Sequence, residues 1–163
     1  MKCSGAVGQH GVSSKLVNSV DNGRISHAQL CFAKEGSGAL PLALAYIQYI
    51  ACPNRADGDS CGECNTCKKL SSFSHPDLHF SFPIISGPKV IDSDHFIAEW
   101  RAIAKASTYF SPTDWKERIG AEKKQLNIPV KESDRISKKL SLKSYEGGYK
   151  FMVVWLAEYM KAP

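Results

Sequence analysis

Long apolar runs are missing from this 163-residue chain, and no stretch reaches the length that a bilayer-spanning helix requires. The first five residues, Met1 to Gly5, lack the apolar segment of a secretory signal. Internal repeats and low-complexity tracts are missing as well. We therefore expect a cytoplasmic protein with no membrane partner, in which cysteines persist as thiols or metal ligands.

A strong charge of either sign is also missing. The formal net charge is +5, and four metal-bound thiolates with one divalent ion would lower it to about +3. The basic pairs are short and are not interleaved with aromatic residues as in a single-strand binding platform; they are Lys68-Lys69, Lys123-Lys124 and Lys138-Lys139. Because 43% of the residues are hydrophobic and 23% are charged, we expect one soluble globular unit with a solvated charged surface.

Four of the six cysteines lie close together in the sequence at short spacing. Cys52, Cys61, Cys64 and Cys67 form Cys-x8-Cys-x2-Cys-x2-Cys directly behind an apolar segment. Two-residue gaps let neighbouring thiolates converge on one tetrahedral zinc ion at about 2.3 Å. Four ligands would leave no open coordination position, so the predicted zinc ion is structural. A disulfide framework and redox or unliganded cysteines are the alternatives.

Histidines near the cysteines offer weaker candidates. His75 and His79 follow Cys67 closely, but four thiolates already fill a tetrahedral site. His27 and Cys31 could suggest a thiolate with its base, yet no third orienting group is evident. Ordinary packing is the simpler interpretation, with Cys31 as a small core residue.

Apolar residues at helical spacing predict four helices, over residues 12–20, 40–50, 96–103 and 130–140. Short apolar segments predict buried strands over residues 28–33 and 150–156 and an alternating strand over residues 78–82. A strand, a glycine-rich turn and a helix follow one another at residues 28–50. This order is typical of an α/β fold with a parallel sheet flanked by helices.

Residues 84–127 interrupt this pattern and are predicted to be an insertion. Trp100, Trp115 and Trp155 are expected to be core or interface anchors. An alternative is that the aromatic-rich insertion carries an exposed surface for a partner. Its first residues to consider would be Tyr109, Phe110 and Trp115.

The glycine-rich turn lies where a nucleotide-binding protein carries Gly-x4-Gly-Lys-Ser/Thr, whose lysine and hydroxyl bind phosphate and magnesium. Gly36 and Gly38 are present, but Ala39 stands at the lysine position and Leu40 at the Ser/Thr position. Acidic magnesium ligands are also missing after the strand at 150–156, where Trp155-Leu156 stands instead. Glu158 lies two residues too far along the chain. These departures predict a nucleotide-binding fold that does not hydrolyse ATP.

Several segments carry a family resemblance: Val7-Gly8-Gln9, the segment Gly23 to Leu30, the cysteine cluster, His75-Pro76-Asp77 and the segment Tyr149 to Val154. In these segments the chain resembles the bacterial clamp-loader family, the AAA+ subunits of DNA polymerase III. They are spread over nearly the whole chain apart from residues 84–127. The resemblance implies a P-loop NTPase fold with residues 52–67 as an inserted zinc-binding module.

Within that family the resemblance implies a delta-prime-like subunit, described as a rigid stator with a degenerate phosphate loop, because Ala39, Leu40, Trp155 and Leu156 replace the catalytic groups. The insertion looks similar to delta-prime proteins of the Bacteroidetes type. The implied partners are gamma/tau and delta subunits in a hetero-pentamer, with primer–template DNA and the sliding clamp as indirect partners. The implied cofactor is structural zinc, without ATP and without intrinsic ATPase activity.

The resemblance also implies that residues 1–163 are a partial first AAA+ domain that lacks the later lid and collar domains. The sheet would then be incomplete at its C-terminal side, and we expect marginal stability or self-association. Two other functions remain as alternatives. One is an ATP-hydrolysing gamma/tau-like clamp-loader subunit, and the other is a zinc-module nucleic-acid-binding protein that uses Arg55, Lys68 and Lys69.

Overall fold

The computed structural model describes residues 2–87 and 92–160. The chain divides into two compact units, Met1–His75 and Pro76–Pro163, whereas the composition led us to expect one. Each unit has its own apolar core. In the first unit the core is formed around one helix, and in the second it is formed by a cluster of aromatic rings. None of the helices among the described residues has the length and apolar composition needed to cross a membrane.

The first unit is helical. A short 3-10 turn at Cys3–Gly5 is followed by helix α1 at His10–Asp21, α2 at Ala39–Ala51 and α3 at Asn65–Ser71. Both α1 and α3 pack on α2. Helix α1 ends at the predicted turn, where Gly23 takes a positive φ of 67° that glycine adopts without strain. The helices predicted over 12–20 and 40–50 are thus confirmed.

Helix α2 is the core of this unit. Ten of its side chains are buried, and Leu44, Ala45 and Tyr49 are each no more than 2% exposed. A helix that is apolar nearly all round cannot face solvent on any side. The mostly apolar helix expected for residues 40–50 is therefore confirmed, and α1, α3 and the N-terminal 3-10 turn pack on it.

The predicted buried strand over residues 28–33 is wrong. These residues form no strand, and Leu30 and Phe32 are 84% and 97% exposed. Cys31 is also exposed and is not a core residue. A strand needs a neighbouring strand to bind its backbone N–H and C=O groups, and residues 28–33 have none. The segment is held at its start by the Gln29 side chain, whose amide donates to the Tyr46 hydroxyl at 3.0 Å.

The second unit contains the sheet. Its helices are α4 at Ile97–Ala106, α5 at Pro112–Arg118 and α6 at Lys131–Ser141, and its strands are β1 at Leu78–Ser81 and β2 at Phe151–Val154. The strands pair in parallel, with Leu78 opposite Phe151 and Ser81 opposite Val154, and α6 packs on both. Two further 3-10 turns lie at Ser93–Phe96 and Ala157–Tyr159. The predicted strands at 78–82 and 150–156 are confirmed in position, although β2 is half-buried rather than buried.

Aromatic rings fill the core of the second unit. The rings of Phe82 and Trp100 stack with centroids 4.4 Å apart, and Trp115 meets both rings edge-on. Trp100 and Trp115 are fully buried, so they are the core anchors that we expected. Trp155 is half-buried and lies 5.3 Å from Trp100 between ring centroids.

The predicted partner surface of Tyr109, Phe110 and Trp115 does not exist as one exposed cluster. Trp115 is buried and its indole N–H donates to the carbonyl of Pro83 at 2.8 Å. Phe110 packs against Trp100 and Trp155. Tyr109 is 41% exposed. The two ends of the predicted insertion meet, because Ile84 and Asn127 exchange two backbone hydrogen bonds of 2.8 and 3.0 Å. That residues 84–127 are an insertion stays a prediction.

A buried ionic network joins α6 to the turn before α4. Glu132 is 1% exposed and accepts hydrogen bonds from the backbone N–H and hydroxyl of Ser93 at 3.0 and 2.7 Å. Arg135 pairs with Glu132 and with Asp94, and it donates to the carbonyl of Phe80 in β1 at 2.6 Å. Each buried charge thus has a partner, which is the condition under which burial of a charge is tolerated.

Replacement of Trp100 by alanine should lower the free energy of unfolding by about 3–5 kcal/mol, because it leaves a large cavity between aromatic rings. The measurement is urea unfolding followed by far-UV circular dichroism. Tyr145→Ala is the control, since Tyr145 is 84% exposed and its loss should cost within about 0.5 kcal/mol. Equal shifts for the two variants would contradict this account of the core.

Acid should weaken the fold through Glu132. Burial raises the pKa of Glu132, but hydrogen bonds from Arg135 and Ser93 outweigh it and hold the pKa below its ordinary value. A depressed pKa in the folded state means that this stabilisation is complete above the unfolded pKa of about 4.3 and is lost as pH falls through the lower folded value.

The urea concentration at the midpoint of unfolding should therefore decrease as the pH is lowered from 5 to 3. In Glu132→Gln this concentration should be lower at pH 7 and should decrease less on acidification. Glu122→Gln is the control, because Glu122 is exposed. A pH profile of Glu132→Gln that parallels the wild type would show that Glu132 is not responsible.

Candidate metal centre

The four cysteines are carried by the end of one helix, a loop and the start of the next helix. Cys52 is the residue after α2, Cys64 is the N-cap of α3 and Cys67 lies within α3. The loop turns back at Asp57 and Gly58, which have positive φ values of 52° and 73°. This reversal brings Cys61 beside Cys52, although eight residues separate them in the sequence.

The four sulfur atoms all lie within 4.8 Å of one another. Cys61 Sγ is 3.5 Å from Cys52 Sγ and 3.9 Å from Cys67 Sγ. A tetrahedral ion with bonds of about 2.3 Å places its sulfur ligands about 3.8 Å apart, so the geometry fits one ion. A disulfide bond would require about 2.05 Å, and all six cysteines are free thiols. The four cysteines could therefore hold a metal ion such as zinc.

Backbone amides point at the sulfurs. The N–H groups of Cys61, Cys64 and Cys67 donate to the sulfurs of Cys52, Cys61 and Cys64, each at 3.4 Å. Such bonds stabilise the charged thiolate over the neutral thiol. Cys52 and Cys67 are buried and the other two are half-buried, so water has limited access to the group.

Two of the four thiols, those of Cys61 and Cys67, have pKa values shifted in opposite directions. Amide hydrogen bonds from Cys64 and Glu63 lower the pKa of Cys61 to about 6. Burial, and then the hydrogen bond with Cys64, raise the pKa of Cys67 well above its ordinary value. The thiolate form of Cys61 is therefore favoured, whereas burial and the neighbouring thiols disfavour the thiolate form of Cys67. A divalent cation would reverse that balance, because coordination deprotonates a thiol outright.

Gln48 is a residue of the site that the sequence analysis missed. It is fully buried on α2; its amide N–H donates to the Ser60 hydroxyl and its carbonyl accepts from the Ser71 hydroxyl, both at 2.9 Å. It thereby ties α2 to the residue before Cys61 and to the end of α3. The available signal was a lone amide side chain on an otherwise apolar helix, since a buried amide needs partners.

The histidines do not enter this group. In residues 2–87 and 92–160, no histidine or carboxylate lies with the four sulfurs as a further ligand. His75 is buried and His79 is half-buried in β1. His27 and Cys31 are both exposed, so the packed arrangement expected for that pair is not observed.

The glycine-rich turn is followed by a helix, as predicted, but it carries none of the side chains that bind phosphate and magnesium. Gly36 and Gly38 take positive φ values of 76° and 84°, and Gly38 is the N-cap of α2. Leu40 is 8% exposed and faces the core. Gln9, from the Val7-Gly8-Gln9 segment, donates its side-chain N–H to the carbonyl of Ser37 at 2.8 Å. The segment therefore contacts the turn.

Within the described part of the chain, the residues after β2 belong to no group of three or more side chains that could hold a metal ion. Trp155 continues the sheet by donating its backbone N–H to the carbonyl of Ser81 at 2.8 Å. Leu156 follows with a positive φ of 57° and starts a 3-10 turn that leaves Glu158 exposed.

Comparison with known proteins agrees with these motifs. A sequence model of the family described as "DNA polymerase III, delta subunit" matches residues 8–163. DNA polymerase III subunit delta' of Bacillus subtilis is 38% identical over 72 residues, which are 44% of this chain and 22% of that protein. The same subunit of Haemophilus influenzae is 34% identical over 90 residues, 52% of this chain and 27% of that protein.

A subunit of the other kind is also similar. DNA polymerase III subunit tau/gamma of Haemophilus influenzae is 29% identical over 72 residues, 44% of this chain and 10% of that protein. The matched segments span 20% to 27% of the delta' relatives. Since the family match extends over nearly the whole chain and delta' subunits of 33% to 38% identity are among its relatives, the chain belongs to the clamp-loader delta-prime family of DNA polymerase III.

Proposed function

We propose that this chain is part of a non-catalytic clamp-loader subunit, built on the AAA+ P-loop fold, that acts as a scaffold for sliding-clamp loading in DNA replication. The observation that carries the proposal is the start of α2, directly after the glycine-rich turn, where Ala39 is half-buried and Leu40 is buried. Neither side chain can neutralise phosphate or bind magnesium. The residues after β2 support the same proposal. Trp155 and Leu156 follow the strand directly, and Glu158 comes too late in the chain to hold the metal.

The proposed partners follow from the family. Relatives named subunit delta' and subunit tau/gamma support an assembly of clamp-loader subunits in which this chain contacts gamma/tau and delta. Primer–template DNA and the sliding clamp would be met through that assembly.

The alternative of a zinc-module nucleic-acid binder has less support. Its predicted anchor Arg55 is engaged within the unit, 3.8 Å from the carboxylate of Asp21 and over the ring of Tyr49. A guanidinium that is already paired contributes less to binding of a phosphate backbone.

We further propose that the ion of the cysteine module is structural zinc held by Cys52, Cys61, Cys64 and Cys67. Four sulfur donors at tetrahedral spacing, with amides directed at three of them, suit zinc and close its coordination sphere. The ion would neutralise the mutual repulsion of the thiolates. It would also join the end of α2 to the start of α3, a region with little apolar surface of its own.

Zinc content tests this part. The purified chain should contain about one zinc ion per molecule by elemental analysis, and Cys67→Ser should lose most of it because three ligands remain. Cys31→Ser is the matched control, since Cys31 is exposed and outside the group. A wild-type chain with far less than one ion, or a Cys67→Ser variant with full content, would contradict the zinc site.

Nucleotide binding tests the scaffold proposal. Calorimetric titration with Mg-ATP should show no binding up to about 1 mM, whereas a P-loop ATPase with an intact lysine serves as positive control. Micromolar affinity would argue for the ATP-hydrolysing alternative.

Two glycine variants would locate any binding that is found. Gly38→Ala strains the turn at φ +84°, and Gly23→Ala applies the same strain at φ +67° after α1. Loss of binding in the first variant alone would make the turn a functional phosphate site and the scaffold proposal wrong.

A further inference from the structure

The N-terminal residues lie on the cysteine loop. The 3-10 turn Cys3–Gly5 packs against α2, and Cys3 and Ala6 are 7% and 4% exposed. An N-terminal segment without a structural role would be expected to leave its side chains in solvent. Here two of them are buried in the same unit as the metal centre.

One carboxylate fastens this turn. Asp59 accepts hydrogen bonds from the backbone N–H groups of Cys3 and Ser4 at 2.8 and 3.1 Å and from the Ser4 hydroxyl at 2.8 Å. It also accepts from the backbone N–H of Ser60 at 2.8 Å. Four donors thus converge on one half-buried side chain. Hydrogen bonds to an ionised acceptor are stronger than those between neutral groups.

Asp59 is two residues before Cys61, on the loop that has to return to Cys52. The backbone N–H and C=O groups of Ala56 and Asp59 pair at 3.0 and 2.9 Å, so the carboxylate projects from a closed turn. Ser60, the next residue, is the partner of Gln48. The position of Cys61 is therefore fixed from two sides, by Gln48 from within the unit and by Asp59 from the N-terminal turn.

Lys2 extends the cover over the cysteines. The Cε and Nζ atoms of Lys2 lie 3.0 and 4.0 Å from the place where a Cβ on Gly62 would be. Gly62 separates Cys61 from the Cys64 segment, and its φ of +78° is one that glycine adopts freely. The aliphatic part of Lys2 thus lies against the bend between two ligands. Its positive ammonium group is near the site, which would carry a net charge of −2 with four thiolates and one divalent ion.

We propose that Asp59 is a positioning residue for the metal centre, which fastens residues 2–5 over the Cys61–Cys64 bend and thereby slows release of the ion. The inference rests on the proposed zinc site and goes beyond it. Cys61 and Cys64 are the more exposed ligands, so a chelator reaches the ion from their side. Lys2 lies against Gly62 on that side, and the turn that follows Lys2 is bound to Asp59.

The test is transfer of zinc from the untagged full chain to a chromogenic chelator in excess, followed by absorbance. Asp59→Asn keeps the shape of the side chain but replaces one acceptor oxygen by an N–H₂ group, which cannot accept from Ser4. Transfer should be about tenfold faster, at the low end of the effect of outer partners of metal ligands on affinity. Asp57→Asn is the matched control, with the same chemical change in an exposed residue of the same loop, and it should transfer zinc at the wild-type rate.

Ser4→Ala keeps the test decisive if Asp59→Asn does not fold. It removes one of the four hydrogen bonds from an exposed side chain, and two- to threefold faster transfer would support the inference. Rates equal to wild type in Ser4→Ala, or equal rates for Asp59→Asn and Asp57→Asn, would overturn it. Failure of the zinc site itself would be seen differently, as a wild-type chain that neither contains zinc nor takes it up.

Discussion

Four thiols have to be held within 4.8 Å of one another, although the deprotonated forms repel. The first unit is arranged around this constraint. Helix α2 ends where Cys52 is needed, α3 begins at Cys64, and the loop between them reverses at Asp57 and Gly58. Amide N–H groups supply partial positive charge to the sulfurs, but they offset only part of the repulsion among four thiolates. A divalent cation at the centre would supply the rest.

The side chains that hold the four cysteines in place are polar, and each forms hydrogen bonds between two elements of the unit. Gln48 joins α2 to the loop and to α3, and Asp59 joins the loop to the N-terminal turn. Apolar packing alone would let so short a loop slide over α2, since hydrophobic contacts are not directional. Hydrogen bonds from buried or half-buried groups fix its position, because each one left unmade would cost about 1–3 kcal/mol.

Helices α1, α2, α4 and α6 and two of the strands could be predicted because their cues are local: apolar spacing, the stop after Asp21 and the alternation at Leu78. The short helices α3 and α5 were not predicted. The cysteine group could be predicted because its spacing is short. Residues 28–33 could not, since strand formation depends on a neighbour that the local sequence does not reveal. Gln48 and Asp59 were missed for a related reason: a polar residue shows its role only when its partners, distant in sequence, are known.

Leu40 occupies the position at which a phosphate loop carries the hydroxyl that binds magnesium. The turn has Gly36 and Gly38 at positive φ and the start of α2 behind them, although no strand precedes it at residues 28–33. The side chain at position 40 packs in the core, where burial of a leucine contributes about 1.5–3 kcal/mol. One side chain cannot fill the core and also present a hydroxyl to magnesium. Leu40 is therefore a stronger argument for a scaffold than Ala39, because Lys in place of Ala39 would restore a charge while the metal ligand would still be missing.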